Sequence, residues 1–184
     1  MSQGVVRIRC LPDGGLDQIE SSDAVALPVF EDERPVRGLT GLVDWRLHSA
    51  VSRLLLSGRF EGALGDSCLM PASGYVPMNK VFLFGAGPLL DFSAQRFRQL
   101  VARMAEVMDG VQATQQVLPL WDLCRGVVGP ADAVEVFLGA GISHSLQGGG
   151  SITLVGGGGW GRGVRDALRT RVERGWGGLP LEIR

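Results

Sequence analysis

Short apolar runs alternate with amphipathic stretches along almost the whole chain, and this alternation constrains its fold most strongly. Residues 24–30 (AVALPVF) are nearly all apolar, as expected for a strand that is covered on both faces. Residues 40–57 then repeat apolar side chains at three- and four-residue spacing, which predicts one long helix capped by Thr40 and closed by Gly58. Strands and helices in this order predict a mainly parallel sheet with helices on both faces.

The same patterns predict the remaining elements of a single domain over residues 1–184. Further strands are predicted at residues 5–11, 68–71, 81–84, 116–121, 152–155 and 179–183. Further helices are predicted from Ser93 to about residue 109, from Pro130 onward, and over residues 164–172. The glycine- and serine-rich residues 139–150 are predicted to be a flexible loop inside the domain.

Charge and hydropathy exclude several classes of function. Lys+Arg number 18 and Asp+Glu 19, so the net charge of −1 leaves no electrostatic footprint for nucleic acid. No apolar run approaches the roughly 20 residues of a membrane helix, and the start MSQGVVRIRC does not read as a signal peptide. Three dispersed cysteines, Cys10, Cys68 and Cys124, favour reduced, half-buried thiols in a cytoplasmic protein.

A family resemblance is carried by residues 23–87. They include DAVALPVFEDERPVRGLTGLVDWRLHSAVSRLLLSGRFEG and CLMPASGYVPMNKVFLFGAGP. This stretch resembles the N-terminal domain of the leucyl aminopeptidase (M17 metallopeptidase) family, and QQVLPLW and GVVGPADAVEVFLGAG resemble its later part. The resemblance implies a three-layer α/β/α fold, macrodomain-like, with a mixed, mostly parallel sheet.

The resemblance also implies a function. In that family the metals and the chemistry belong to a larger C-terminal domain, and we expect this chain to lack such a segment. The first expectation is a non-catalytic, stand-alone relative that acts through protein contacts, either with itself or with a peptidase-like partner. The partner-binding candidates are the exposed face of helix 40–57, the charged loop 31–37, and the tryptophans Trp45, Trp160 and Trp176.

Catalytic and metal-binding motifs are missing from the sequence. The two histidines, His48 and His144, are far apart, and neither an H-E-x-x-H nor a G-x-S-x-G pattern occurs. We therefore expect no catalytic residue, no metal and no cofactor in this chain.

Glycine-rich strand exits support the alternative function. Gly156, Gly158 and Gly161 form a G-x-G-x-x-G pattern between a predicted strand and helix, with Glu182 about twenty residues on. Macrodomains hold ADP-ribose phosphates with loops of this kind, so the alternative is a module that binds a nucleotide or ADP-ribose-type anion. A hydrolase of such a ligand is a third reading, and a set of purely structural turns is the fourth. The candidate ligand-binding residues are Gly85, Gly87, Gly126, Gly129, Gly156, Gly158 and Gly161.

Overall fold

One mixed sheet organises the chain. The computed structural model describes residues 6–11, 15–72, 74–140, 150–156, 158–174 and 181–183. Within these residues the strands run in the order β3-β4-β2-β5-β6-β1-β7, and all neighbouring pairs are parallel except β3 with β4. The strands are β1 (Val6–Leu11), β2 (Ser22–Phe30), β3 (Ser67–Pro71), β4 (Met78–Gly87), β5 (Gln115–Leu118), β6 (Gly150–Val155) and β7 (Leu181–Ile183). The mixed, mostly parallel sheet is confirmed.

Helices cover both faces of this sheet. They are α1 (Gly38–Arg46), α2 (Ala50–Leu56), α3 (Ala94–Gly110), α4 (Leu120–Cys124), α5 (Pro130–Gly139) and α6 (Gly158–Glu173). Alternate residues of β2 enter two separate cores: Val25 and Leu27 pack with α1 and α2, whereas Ala26 and Phe30 pack with the other helices. Because both faces of β2 are buried from residue 24 onward, the side chains of residues 24–30 are all apolar. The three-layer arrangement is therefore confirmed.

The prediction of one continuous helix over residues 40–57 is wrong, because the structure has two helices here, α1 and α2. His48 and Ser49 take φ values of 54° and 61°, which ends α1 and turns the chain. Asp44 stabilises the new start, since its carboxylate accepts hydrogen bonds from the Ser52 N–H at 3.0 Å and the Ser52 hydroxyl at 2.6 Å. Thr40 lies inside α1 and donates its hydroxyl to the Pro28 carbonyl, so it is not the cap.

Two strand predictions also need correction. The strand expected at 116–121 ends at Leu118, because Pro119 cannot continue the ladder and precedes the short helix α4, on which Trp121 lies. The strand expected at 81–84 extends through Gly87, so Gly85 and Gly87 belong to β4 and not to a loop after it. The Ser93 cap and the start of α5 at Pro130 are confirmed.

Several expectations fall outside the described residues. Residues 141–149 of the expected loop, His144, Trp176 and residues 179–180 are among them. Within the described side chains, Cys68 is half-buried and Cys124 is buried, and both are free thiols.

Candidate recognition surfaces

The carboxyl ends of the parallel strands β2, β4, β5 and β6 meet at one edge of the sheet, which is where α/β folds place their ligands. Here the loops after these strands bring together a set of side chains that we call the strand-end cluster: Phe30, Glu33, Trp121, Arg125, Gly156 and Trp160.

An ion pair forms one half of the strand-end cluster. Arg125 Nη2 lies 2.6 Å from Glu33 Oε2, and the two side chains are only 21% and 11% exposed. The Arg125 guanidinium also lies 5.1 Å from the centre of the Phe30 ring. The Glu33 carboxylate therefore neutralises the positive charge of Arg125, which would otherwise attract an anion to this site.

Two tryptophans form the other half. Trp121 and Trp160 pack edge-to-face with ring centres 5.5 Å apart. A Cβ at Gly156 would lie 3.5 Å from Trp121 Cβ and 3.7 Å from the Trp160 ring, so the end of β6 lies in contact range of both tryptophans. The cavity beside them, lined by residues of α4, β6 and α6, has a volume of about 10 Å³, which is room for at most about one water.

The candidate glycines divide into two groups. Gly85 and Gly87 are covered by the segment between α2 and β3: a Cβ at Gly85 would lie 1.8 Å from the Ala63 carbonyl oxygen, and the Gly87 N–H donates to Gly62. Gly85 therefore allows close backbone approach, and Gly87 adopts a positive φ of 74°.

The other glycines lie around Trp121 and the start of α6. Gly126 has φ +76° and packs against the Trp121 ring, and Gly129 precedes α5. Gly158 begins α6, and Gly161 allows α6 to approach the Gly156 carbonyl oxygen. The structure thus groups these five residues and sets Gly85 and Gly87 apart.

A buried carboxylate that the sequence patterns did not single out lies beside this edge. Asp122 of α4 accepts a hydrogen bond from the Leu39 N–H at 2.7 Å, at the first turn of α1. The N-terminal N–H groups of a helix favour an anion, and here the chain supplies its own. Gly38 has φ +60° and its Cβ would lie 2.2 Å from the carboxylate oxygens, so only glycine fits at this position. No local sequence pattern links residues 38 and 122, which is why sequence reasoning missed the contact.

A second surface lies where α1 ends. We call Trp45, Arg46, His48 and Tyr75 the aromatic patch. Trp45 is 70% exposed and the Arg46 guanidinium lies 5.5 Å from the centre of its ring. Tyr75, 56% exposed, packs edge-to-face on His48 at 4.7 Å between ring centres. The break between α1 and α2 turns His48 outward, so the patch exists because the helix is interrupted.

Electrostatic shifts in the described residues do not indicate a catalytic group. Burial raises the pKa of the Cys124 thiol to about 11, which leaves it protonated and unreactive at neutral pH. Across the described ranges there is no group of three histidine, cysteine or acidic side chains placed to hold a metal ion. Nor does any helix in that part of the chain have the length and apolarity to span a membrane.

Known proteins resemble the chain in sequence. The model of the cytosol aminopeptidase family, N-terminal domain, matches residues 26–133, more than half of the chain. A probable cytosol aminopeptidase of Alkaliphilus oremlandii is 23% identical over 113 residues, covering 60% of this chain and 23% of that protein. One of Thermosynechococcus vestitus is 33% identical over 88 residues, covering 46% of this chain and 18% of that protein. The chain thus spans about a fifth of the length of these relatives.

Solved structures resemble the chain in fold. A mutant tomato leucine aminopeptidase matches with a TM-score of 0.61 and 15% identity, covering 94% of this chain and 37% of the tomato chain. A mutant macrodomain of Oceanobacillus iheyensis matches with a TM-score of 0.65 and 12% identity, covering 91% and 93% of the two chains. The same macrodomain with ADP matches with a TM-score of 0.62 and 12% identity, covering 84% and 87%. The chain has a macrodomain-like fold and belongs to the cytosol aminopeptidase family, whose N-terminal domain it matches.

Proposed function

We propose that this chain is a non-catalytic recognition domain that acts through protein contacts, with the aromatic patch as its docking surface. The observation that carries the proposal is the exposure of Trp45 beside Arg46 and of Tyr75 beside His48. Tryptophan, tyrosine and arginine are the residue types that contribute most to protein interfaces. Rings held by their neighbours lose little conformational entropy on binding.

The family membership suggests which protein the partner is. The relatives carry this domain within cytosol aminopeptidases, so the proposed partner is a cytosol aminopeptidase subunit of the same organism. The strand-end cluster fits a domain without chemistry of its own, since Glu33 already neutralises Arg125 and the adjoining cavity has room for at most about one water.

The test mixes the purified chain with that aminopeptidase and measures the complex by isothermal titration calorimetry. The double variant Trp45→Ala/Tyr75→Ala should weaken binding at least about tenfold, which corresponds to about 1.4 kcal/mol. The variant Leu90→Ala, which truncates a side chain that is 94% exposed elsewhere, should bind as the wild type does. Equal affinity of all three proteins, or no complex at all, would reject the proposal.

Absence of catalysis has its own assay. The chain alone, supplied with Zn²⁺ or Mn²⁺, should not hydrolyse a chromogenic leucine amide. Turnover that survives repeated purification and changes with a substitution in this chain would contradict the non-catalytic assignment.

One observation favours a second candidate, a module for nucleotide-type ligands. Trp121 is 38% exposed and adjoins the glycines at the ends of α4 and β6, and a macrodomain of similar fold has been solved with ADP. An adenine ring would stack on Trp121, since bases stack on exposed aromatic side chains. Thermal unfolding with ADP and ADP-ribose tests this: a midpoint that rises with ligand concentration in the wild type but not in Trp121→Ala supports it. A midpoint independent of ligand rejects it.

A further inference from the structure

The outer edge of β3 is open. In the described part of the chain, β3 pairs with β4 and has no strand on its other side. Just before β3, the Gly85 N–H donates to the Asp66 carbonyl at 2.9 Å. Hydrogen-bonded pairs alternate along an antiparallel ladder, so counting from Asp66, Leu69 turns its N–H and C=O to the open side. Ser67 does the same, and Pro71 presents its carbonyl there.

This edge carries little of the usual protection against pairing. Natural edge strands carry charged side chains, bulges or prolines that keep other strands away. β3 reads SCLMP, without a charge, and its register with β4 is unbroken over all five residues. Leu69 is 55% exposed at its centre, and the single proline stands at the last position.

We propose that β3 pairs antiparallel with β3 of a second copy of this chain, with Leu69 facing Leu69 of the other copy across a two-fold axis. In this register each Leu69 N–H donates to the opposite Leu69 carbonyl. Each Ser67 N–H donates to the opposite Pro71 carbonyl. The N–H that Pro71 lacks is then missing only at the ends of the ladder, and the two sheets become one continuous sheet.

The neutrality of residues 67–71 favours a second copy as the occupant. Arg103 of α3 lies 2.8 Å from Glu106 of the same helix and 3.4 Å from the Ser67 hydroxyl, so its charge is already paired. Lys80 lies opposite Pro71 on β4, one strand in from the open edge. A neutral strand that meets itself brings no like charges together at the axis. A charged peptide would find no counter-charge on residues 67–71.

The surface differs from the aromatic patch, so the two proposals stand or fall separately. Sedimentation equilibrium over a concentration series should show a monomer–dimer equilibrium for the wild type. Leu69→Lys places two ammonium groups at the axis and should raise the dissociation constant at least about tenfold. The matched variant Leu90→Lys adds the same charge to another exposed leucine and should leave it unchanged, as should Trp45→Ala/Tyr75→Ala.

A second variant separates loss of pairing from loss of folding. Leu69→Pro deletes an N–H that the ladder with β4 does not use, so the far-ultraviolet circular dichroism should stay native while the dimer is lost. A bismaleimide should cross-link Leu69→Cys in a Cys68→Ser background and should not cross-link Leu90→Cys in that background. A strict monomer at every concentration, or a dimer that survives Leu69→Lys and Leu69→Pro, overturns the proposal.

Discussion

The Asp122 carboxylate accepts a hydrogen bond from the Leu39 backbone N–H at 2.7 Å, and this contact joins α4 to the first turn of α1 across 83 residues of sequence. Arg37, the residue before α1, makes no capping hydrogen bond of its own. The cap that α1 needs is therefore supplied by tertiary structure, at the same sheet edge where a macrodomain-like fold places its loops.

Replacing Asp122 with alanine should destabilise the fold by about 1–3 kcal/mol, because it leaves a helix-terminal N–H unsatisfied in a buried place. Urea unfolding followed by circular dichroism measures this. The control is Asp109→Ala, which removes an exposed carboxylate near the end of α3 and should change stability by no more than about 0.5 kcal/mol. Equal effects of the two variants would show that the cap contributes nothing.

Two glycines allow the carboxylate contact to be separated from backbone strain. Gly38 and Gly58 have φ values of +60° and +67°, so alanine at either position costs about 1–2 kcal/mol of left-handed strain. Only at Gly38 would the new Cβ also meet Asp122, at 2.2 Å, whereas at Gly58 nothing lies within 4 Å. Gly38→Ala should therefore unfold at clearly lower urea than Gly58→Ala. If the urea midpoints of the two variants coincide, the close approach of Asp122 does not add to the cost of a side chain at position 38.

Much of the fold follows from local patterns. The apolar residues of β2, the Ser93 cap of α3 and the proline that begins α5 report on the backbone near them, and each of these predictions is confirmed. The predicted end of the strand 116–121 is wrong, because the strand ends at Leu118, before Pro119. Proline is a local signal for a strand end, but the apolar residues that follow it suggested that the strand continued.

The remaining features depend on residues that are distant in sequence. The break between α1 and α2 is held by the Asp44 carboxylate reaching Ser52, and apolar periodicity does not register it. Glu33 and Arg125 are 92 residues apart, and only the fold shows that they meet. The exposure of Trp45, in contrast, was predictable, because it falls off the apolar stripe of its helix.

The Glu33–Arg125 pair should contribute measurably to stability. Arg125→Met keeps an apolar side chain but removes the guanidinium from above the Phe30 ring and leaves the poorly exposed Glu33 carboxylate without its partner, which should cost about 1–3 kcal/mol. The matched variant Arg171→Met breaks an exposed pair with Glu135, at 3.5 Å, and should cost about 0–1 kcal/mol. Thermal and urea unfolding of both variants provide the comparison, and a larger loss for Arg171→Met would contradict it.

Acid should weaken the contact that fastens the start of β5 to β2. The Asp23 carboxylate accepts hydrogen bonds from the Thr114 hydroxyl at 2.7 Å, the Thr114 N–H at 2.9 Å and the Gln115 N–H at 3.0 Å. These bonds, the Thr114 hydroxyl first, favour the charged form and hold the pKa of Asp23 below its ordinary value of 3.8. Because the folded pKa is the lower one, the stabilisation is fully present above pH 3.8 and is lost as the pH falls through the folded pKa.

The variant Asp23→Asn removes this titration. The wild type should be more stable than the variant at neutral pH, because the carboxylate is the stronger acceptor for three donors. The difference between their urea midpoints should shrink on acidification below pH 3.8, since the protonated wild-type side chain resembles the amide. Asp109→Asn provides the reference, because its carboxylate is exposed and the difference from wild type should stay near zero throughout. A gap for Asp23→Asn that is the same at neutral and acid pH would show that this carboxylate does not couple protonation to folding.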